Sequence, residues 1–320
     1  MTSKLNCHIL DDYQQVSMNI ANWDSLLPHL NITVHPEHHP EDTLIEQLKD
    51  AHIVVVMRER TPFTARLIQH LPHLKLLVTS GMRNASIDLA AARAQGVTIC
   101  GTRSTSHAPA ELTWALLLGL ARNIHTENHN LTHNGPWQST LGTGLHGKTL
   151  GLLGLGKIGS QVAHIGQAFG MHTIAWSQNL TPEKARSLGV ECMPDKSALL
   201  QKADFVSIHL VLSERTRHLL QARDLKQMKP TACLINTSRA SIIEPEGLLK
   251  ALKENWIAGA GLDVFEEEPL PREHPLRTLP NVLATPHLGY VTRENYQIYF
   301  QEAVEDIHAY LNGKPIRLLE

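Results

Sequence analysis

Short apolar runs rich in Val, Ile and Leu alternate with amphipathic stretches along almost the whole chain, the pattern of parallel strands joined by helices. In the first hundred residues the runs KLNCHIL, ITVHP, HIVVVM, LKLLVTS and VTIC predict strands, with helices over EDTLIEQLKDA and TARLIQHLP. A second series starts at Gly147, where KTLGLLG, HTIAW, DFVSIHL, ACLINTS, GAGLDV and VLATPH predict six strands. Within it, KIGSQVAHIGQAFG sets Ile158, Val162, Ile165 and Phe169 on one helical face and stops at Gly170. TPEKARSLG offers Thr181 as N-cap, Pro182 in the first turn and Gly189 just past the end.

Two longer helices flank the second series. AELTWALLLGLARNI is apolar nearly all round, so it is expected to be buried between domains or between subunits. TRENYQIYFQEAVEDIHAYLNG is amphipathic and is expected to pack back on the first α/β unit, making that unit discontinuous.

Composition narrows the setting. A chain of 320 residues suggests about two domains, and 42% hydrophobic with 19% charged residues is ordinary for a globular protein with sizeable cores. A net charge of −2 gives no electrostatic reason to expect nucleic acid or an anionic membrane as partner. The start, MTSKLNCHILDD, lacks the order of a signal peptide, and TWALLLGLA is far short of a membrane span. Cys7, Cys100, Cys192 and Cys233 show no C-x-x-C spacing and read as buried free thiols, so a cytoplasmic setting is expected. Of the 20 histidines, the cluster His35, His38 and His39 is broken by Pro36 and Pro40 and reads as a solvated turn; no metal is expected.

The chemistry starts at GLLGLGKIG. Gly154, Gly156 and Gly159 have the G-x-G-x-x-G spacing of a dinucleotide-binding turn, follow an apolar strand and open an amphipathic helix with Lys157 and Ile158. That turn brings pyrophosphate to a helix N-terminus. About 20 residues on, where an acid would bind the ribose 2′-hydroxyl, the chain has Ser177, Gln178 and Asn179. These side chains do not repel a 2′-phosphate and are able to donate to it, so the expected cofactor is NAD(P), with NADP favoured. Three later segments, LINTSRASIIEPEGLLKAL, GAGLDVFEEEPLP and LATPHLGYVT, each pass from a strand into polar or Gly/Pro-rich residues, where ligands of an open parallel sheet bind.

In order and spacing, GLLGLGKIG, DFVSIHLVLSERTRHLL, MKPTACLINTSRASIIEPEGLLKAL, GLDVFEEEPLP and TPHLG resemble the D-isomer-specific 2-hydroxyacid dehydrogenase family over nearly the whole chain. The resemblance implies an α/β protein of two domains: a Rossmann-type doubly wound parallel sheet, over 102–288, inserted in a flavodoxin-like substrate domain made of 1–101 and 289–320. It implies hydride transfer between a nicotinamide cofactor and a 2-oxo or D-2-hydroxy acid, and a homodimer. Carried over, Arg239 binds the substrate carboxylate and carbonyl, His287 is the proton donor and acceptor, Glu268 is its carboxylate partner, and Asp263 stands near the nicotinamide. Chemistry agrees: Arg239 has the planar fork that grips a carboxylate, and a carboxylate beside His287 favours the imidazolium. His209, Leu210, Thr237 and Ser238, at strand ends, are expected along the cofactor. Arg58, Ser80, Gly81 and Met82 are expected at the substrate, in a loop SGMRNAS that departs from the family's more usual Gly-x-Gly form. The competing expectation is a nucleotide-sensing corepressor of the same fold, which would turn over no 2-oxo acid.

Overall fold

The computed structural model describes residues 4–319; Met1 to Ser3 and Glu320, which the expected domain ranges include, lie outside them. By contact, the chain divides into a unit of Met1–Thr105 with Thr292–Glu320 and a unit of Ser106–Val291. These edges fall a few residues beyond 101/102 and 288/289: residues 102–105 stay with the first unit and residues 289–291 with the second.

The first unit is built on β1 (Leu5–Ile9), β2 (Leu30–Val34), β3 (Ile53–Val56), β4 (Leu76–Thr79) and β5 (Thr98–Gly101). All pair in parallel in the order β2-β1-β3-β4-β5, the flavodoxin-like order. β3 and β4 are buried at every position, which explains why they read as unbroken apolar runs. The helix Arg293–Leu311 packs on β4 and buries Tyr296, Tyr299, Phe300, Ala303 and Ile307. Beyond it the chain returns along β5: Gly101 N–H donates to Arg317 O, and Leu319 N–H to Ile99 O. Arg317 is held by Asp306, its Nε 2.9 Å from Oδ1, and the neighbouring Glu302 carboxylate accepts from Arg103 N–H at 2.6 Å.

The second unit carries β6 (Thr149–Leu153), β7 (His172–Trp176), β8 (Glu191–Cys192), β9 (Phe205–Ile208), β10 (Cys233–Asn236), β11 (Gly259–Leu262) and β12 (Val282–Ala284). The order is β12-β11-β10-β9-β6-β7-β8, a doubly wound sheet whose strand order reverses between β6 and β9. The six expected strands are present, and the seventh, β8, is a two-residue edge strand too short to leave a period in the sequence.

Two helix expectations need correction. The helix Ala108–Ala121 packs against β10, β11 and β12 inside the second unit. Its buried residues, among them Trp114, Leu116, Leu117 and Leu120, belong to one of that unit's own cores. Close approach is possible because Gly261 lacks a side chain; a Cβ there would meet Leu116 and Leu120 at 3.1–3.2 Å. The helix Lys157–Ala168 buries Val162, as expected, together with the small residues Gly159, Ala163 and Gly166. Ile158 and Ile165 are half-buried, while Phe169 is 41% exposed and leans on Trp114, ring centroids 5.0 Å apart. The small residues on this face allow a close approach to the sheet: a Cβ on Gly166 would come within 2.8 Å of Leu150 Cδ2. Thr181 caps its helix from the expected place, accepting from Lys184 N–H, and Gly170 and Gly189 are left-handed, as C′ residues are.

The four cysteines are free; Cys7, Cys100 and Cys233 are buried, Cys192 partly. His35 meets His8 (2.9 Å between ring nitrogens) and His38 lies 3.5 Å from Asp11. No group of three potential ligands able to hold a metal ion occurs among the described residues. No helix among them is long and apolar enough to cross a membrane.

Candidate active site

Six strands of the second unit, β6, β7, β9, β10, β11 and β12, end on one edge of the sheet, and each delivers part of the site. β6 runs into Gly154, whose φ of +101° makes the sharp turn, and Gly154 N–H donates to Trp176 O across to β7. The three glycines are small for different reasons. A Cβ on Gly154 would strike His209 O at 2.6 Å, and one on Gly159 would strike Gly154 O at 2.2 Å. A Cβ on Gly156 would meet nothing within 4 Å. Protein packing therefore demands the first and third, while the second leaves open space at the N-terminus of the helix Lys157–Ala168, whose cap position has no side-chain hydrogen bond. That cradle fits a pyrophosphate: Gly156 makes room, and the first-turn N–H groups supply the charge complement. Lys157 is exposed there and Ile158 half-buried.

Ser177, Gln178 and Asn179 follow β7; Gln178 and Asn179 are exposed, Ser177 partly. Among the described residues none of the three side chains is engaged in a hydrogen bond. After β9, His209 Nε2 meets Ser207 Oγ at 2.9 Å, and burial lowers the His209 pKa to about 4, so the ring is neutral. His209 thus serves as a packed wall of the glycine turn. The Ser238 hydroxyl donates to Leu210 O at 2.5 Å, and Thr237 Oγ1 lies 2.7 Å from Thr113 Oγ1. These contacts tie the loop after β10 to the loop after β9 and to the helix Ala108–Ala121.

Arg239 follows β10. Asn236, 1% exposed, shapes its turn by donating to Arg239 O at 3.0 Å and accepting from Ser238 N–H at 3.0 Å. One guanidinium N–H donates to Ser238 O at 2.7 Å. After β12, His287 adopts a left-handed φ of +54°, its N–H donating to Thr285 O. Non-glycine residues rarely hold that backbone, and such strain persists only where the surroundings impose it. His287 Nδ1 lies 2.6 Å from Glu268 Oε2, while Glu268 Oε1 accepts from Phe265 N–H at 2.9 Å. The structure thus brings Glu268 and His287 into direct contact from segments 19 residues apart. Asp263, after β11, is wholly buried and hydrogen-bonded to Thr285, Leu288 and Gly289.

In the first unit, Arg58 follows β3 with a left-handed φ of +50°. Its N–H donates to Ser80 Oγ, its carbonyl accepts from Asn84 Nδ2 at 2.7 Å, and its guanidinium lies near the buried Tyr299, whose pKa it pulls down against the larger effect of burial. The guanidinium lies over Gly81, where a Cβ would come within 2.7 Å of it. Ser80 N–H donates to Val56 O and Gly81 N–H to Thr102 Oγ1. Among the described residues, the N–H groups of Met82 and Arg83 meet no protein acceptor, and both residues are exposed. Gly81 therefore shapes this turn, and its next two residues offer the donors.

Several supporting residues escape a reading of motifs. Asn236 and Thr285 stand beside motif residues and are recoverable from them; Thr102 and Tyr299 come from distant segments and carry no local signal.

A family model for the NAD-binding domain of D-isomer-specific 2-hydroxyacid dehydrogenases matches residues 114–289. The chain belongs to that family. Among curated relatives, a glyoxylate reductase of Aeropyrum pernix is 38% identical over 86% of this chain and 84% of its own length. A D-3-phosphoglycerate dehydrogenase of Methanocaldococcus jannaschii is also 38% identical, over 86% of this chain but 52% of that protein, so the chain spans about half of that relative. Among solved structures, a phosphoglycerate oxidoreductase from Vibrio cholerae superposes with a TM-score of 0.91 at 40% identity, covering 97% of this chain and 99% of that one. As a member of the D-isomer-specific 2-hydroxyacid dehydrogenases, the protein is a nicotinamide-dependent enzyme acting on 2-hydroxy or 2-oxo acids.

Proposed function

We propose that the protein reduces a short 2-oxo acid, of the size of glyoxylate or hydroxypyruvate, to the D-2-hydroxy acid, with NADPH preferred to NADH. The observation that carries the reading is the 2.6 Å contact of Glu268 with Nδ1 of a His287 held in a left-handed turn. Donation of Nδ1–H to Glu268 leaves Nε2 as the nitrogen to face the reacting oxygen. The nicotinamide, when bound, supplies the hydride. His287 in its imidazolium form gives the Nε2 proton to the carbonyl oxygen as the carbon is reduced, and Glu268 stabilises the charge before transfer. Arg239, its fork steadied at Ser238 O, holds carboxylate and carbonyl oxygens. In the first unit, the donors of Met82 and Arg83 beside Arg58 are suited to an anion.

The glyoxylate-sized substrate is supported by the name of the Aeropyrum pernix relative. Ser177, Gln178 and Asn179, whose side chains make no hydrogen bond among the described residues, support NADPH. The exposed apolar side chains of Ile124, Leu131, Trp137 and Leu141, 55–97% accessible, support a homodimer that covers them.

The test is loss of absorbance of NADPH or NADH with purified protein and glyoxylate, hydroxypyruvate, pyruvate, phenylpyruvate or 2-oxoglutarate. Turnover with a short acid and NADPH is expected. Gln178→Asp, which restores a carboxylate near the ribose, should move the preference towards NADH by about tenfold or more. No oxidation with any acid would sink the reading.

A further inference from the structure

We infer that the second unit carries a binding site for a small apolar cation, an arylalkylamine, behind the loop that holds Glu268. The site goes beyond the proposed reduction, and only the kinetic part of its test rests on that reading. Between the helix Pro245–Lys253 and the segment after β11 lies a cavity of about 180 Å³, open to solvent on one side. Its apolar walls are Ile243, Leu248, Leu249, Phe265, Leu270 and Leu276. Arg239, Asp263, Glu268, His287 and the three turn glycines are not among the residues that line it. The cavity is therefore separate from the place where those residues meet a ligand.

Size and charge fix the chemistry of the occupant. An apolar cavity of roughly 150 Å³ takes one benzene-sized molecule, so this one suits a single aromatic ring with a short chain. Such an occupant restores dispersion contacts that an apolar void forfeits. Glu266 and Glu267 also line the cavity, and both are exposed. Glu266 accepts from Ser241 Oγ at 3.0 Å, while the Glu267 carboxylate meets no donor among the described residues. No lysine or arginine lines the cavity, and His274 spends Nδ1 on Leu276 N–H at 3.2 Å. Two acids without a cation attract an ammonium group and repel the anionic cofactor and 2-oxo acids.

The walls are shared with both catalytic turns. Phe265 N–H donates to Glu268 Oε1 at 2.9 Å, and the other oxygen of Glu268 holds His287 Nδ1. Asn236, which shapes the turn of Arg239, also lines the cavity. A ring seated against Phe265 and Leu270 thus bears on the segment that carries Glu268. Occupancy acts on the proton donor from behind, without standing in the substrate's way.

The experiment titrates the full-length protein with 2-phenylethylamine, its neutral counterpart 2-phenylethanol and the anion phenylacetate, read by calorimetry and by leucine-methyl shifts. The amine should bind with a Kd of about 1 mM or tighter. It should bind about three- to tenfold more tightly than the alcohol, with phenylacetate weakest. Replacing both acids, Glu266→Gln with Glu267→Gln, should bring amine and alcohol to the same Kd. Leu249→Trp, which fills the cavity, should abolish binding of both. Equal Kd values for amine and alcohol in wild type, or binding that survives Leu249→Trp, would overturn the inference. Should Leu249→Trp not fold, the paired glutamine variant decides, because an amine preference that persists there would place the amine elsewhere. The kinetic arm uses N,N-dimethyl-2-phenylethylamine, a tertiary amine that forms no neutral imine with a 2-oxo acid. At saturating NADPH it should lower kcat by about threefold or more with KM unchanged. A rise in KM alone would mark competition at the active site, and an unchanged kcat would mark a site uncoupled from Glu268; either overturns the inference. If wild type reduces no 2-oxo acid, the proposed function fails, while the titrations still decide the site.

Discussion

His287 holds a backbone that costs free energy, and the side chains around it show why it is kept. Glu268 takes Nδ1, so replacing His287 by Ala should remove about 10²- to 10⁴-fold of kcat while the NADPH Kd, read by fluorescence titration, stays unchanged. Unchanged turnover would refute its role. Glu268→Gln keeps the shape and removes the charge. Its kcat for reduction should fall by about tenfold or more, and a kcat as high as wild type would show that the carboxylate does nothing to the ring. At this scale much was legible: Arg239, Glu268 and His287 stand in motifs, and the last two meet as expected. The commitments of Asp263 were not legible, because a buried carboxylate and an exposed one look alike in a string of letters. Nor was the left-handed Arg58, whose conformation depends on Asn84 and on Tyr299, far along the chain.

Among the elements, the glycine turn makes the sharpest separation between fold and ligand. Gly159→Ala drives a methyl into Gly154 O and should cost roughly 1–3 kcal/mol of stability, visible as a lower Tm. Gly156→Ala meets only open space, so its Tm should match wild type while the NADPH Kd rises by about tenfold or more. Equal Kd values for that variant and wild type would remove the pyrophosphate from this turn. Strand positions were readable from apolar runs because parallel strands are covered on both faces. The buried face of the helix Lys157–Ala168 was legible only in part: Val162 lies on it as expected, while close packing adds Gly159, Ala163 and Gly166, which carry no hydrophobic period. The burial of the helix Ala108–Ala121 within its own unit was equally hidden: an apolar helix announces that it is covered, not by what.

For the whole molecule, acid–base behaviour turns on a few buried groups. Burial raises Asp306 from 3.8 to about 7 against the pull of Arg317. The folded state therefore holds a proton there that the unfolded chain releases. That stabilisation is complete below pH 3.8 and declines as pH rises through about 7. His209 works in the opposite sense: its pKa, lowered to about 4, makes the fold lose stability as pH falls from 6.5 to 4. Asp306→Asn should flatten the decline of Tm between about pH 5 and 7.5; a profile that keeps the wild-type slope would place the titration elsewhere.

The interrupted first unit also bears on the order of synthesis. Its strands lie before residue 106, while the helix that packs on β4 begins at Arg293. On a ribosome adding ~5–20 residues per second, the segment 106–291 occupies roughly 10–40 s. Through that interval the five-stranded sheet waits without the side chains of Tyr299, Phe300 and Ile307, all buried in the finished protein. The inserted unit meanwhile emerges with its cores complete in sequence. The nascent chain should thus mature from the middle outwards, and the exposed face of the waiting sheet is where a chaperone would be needed.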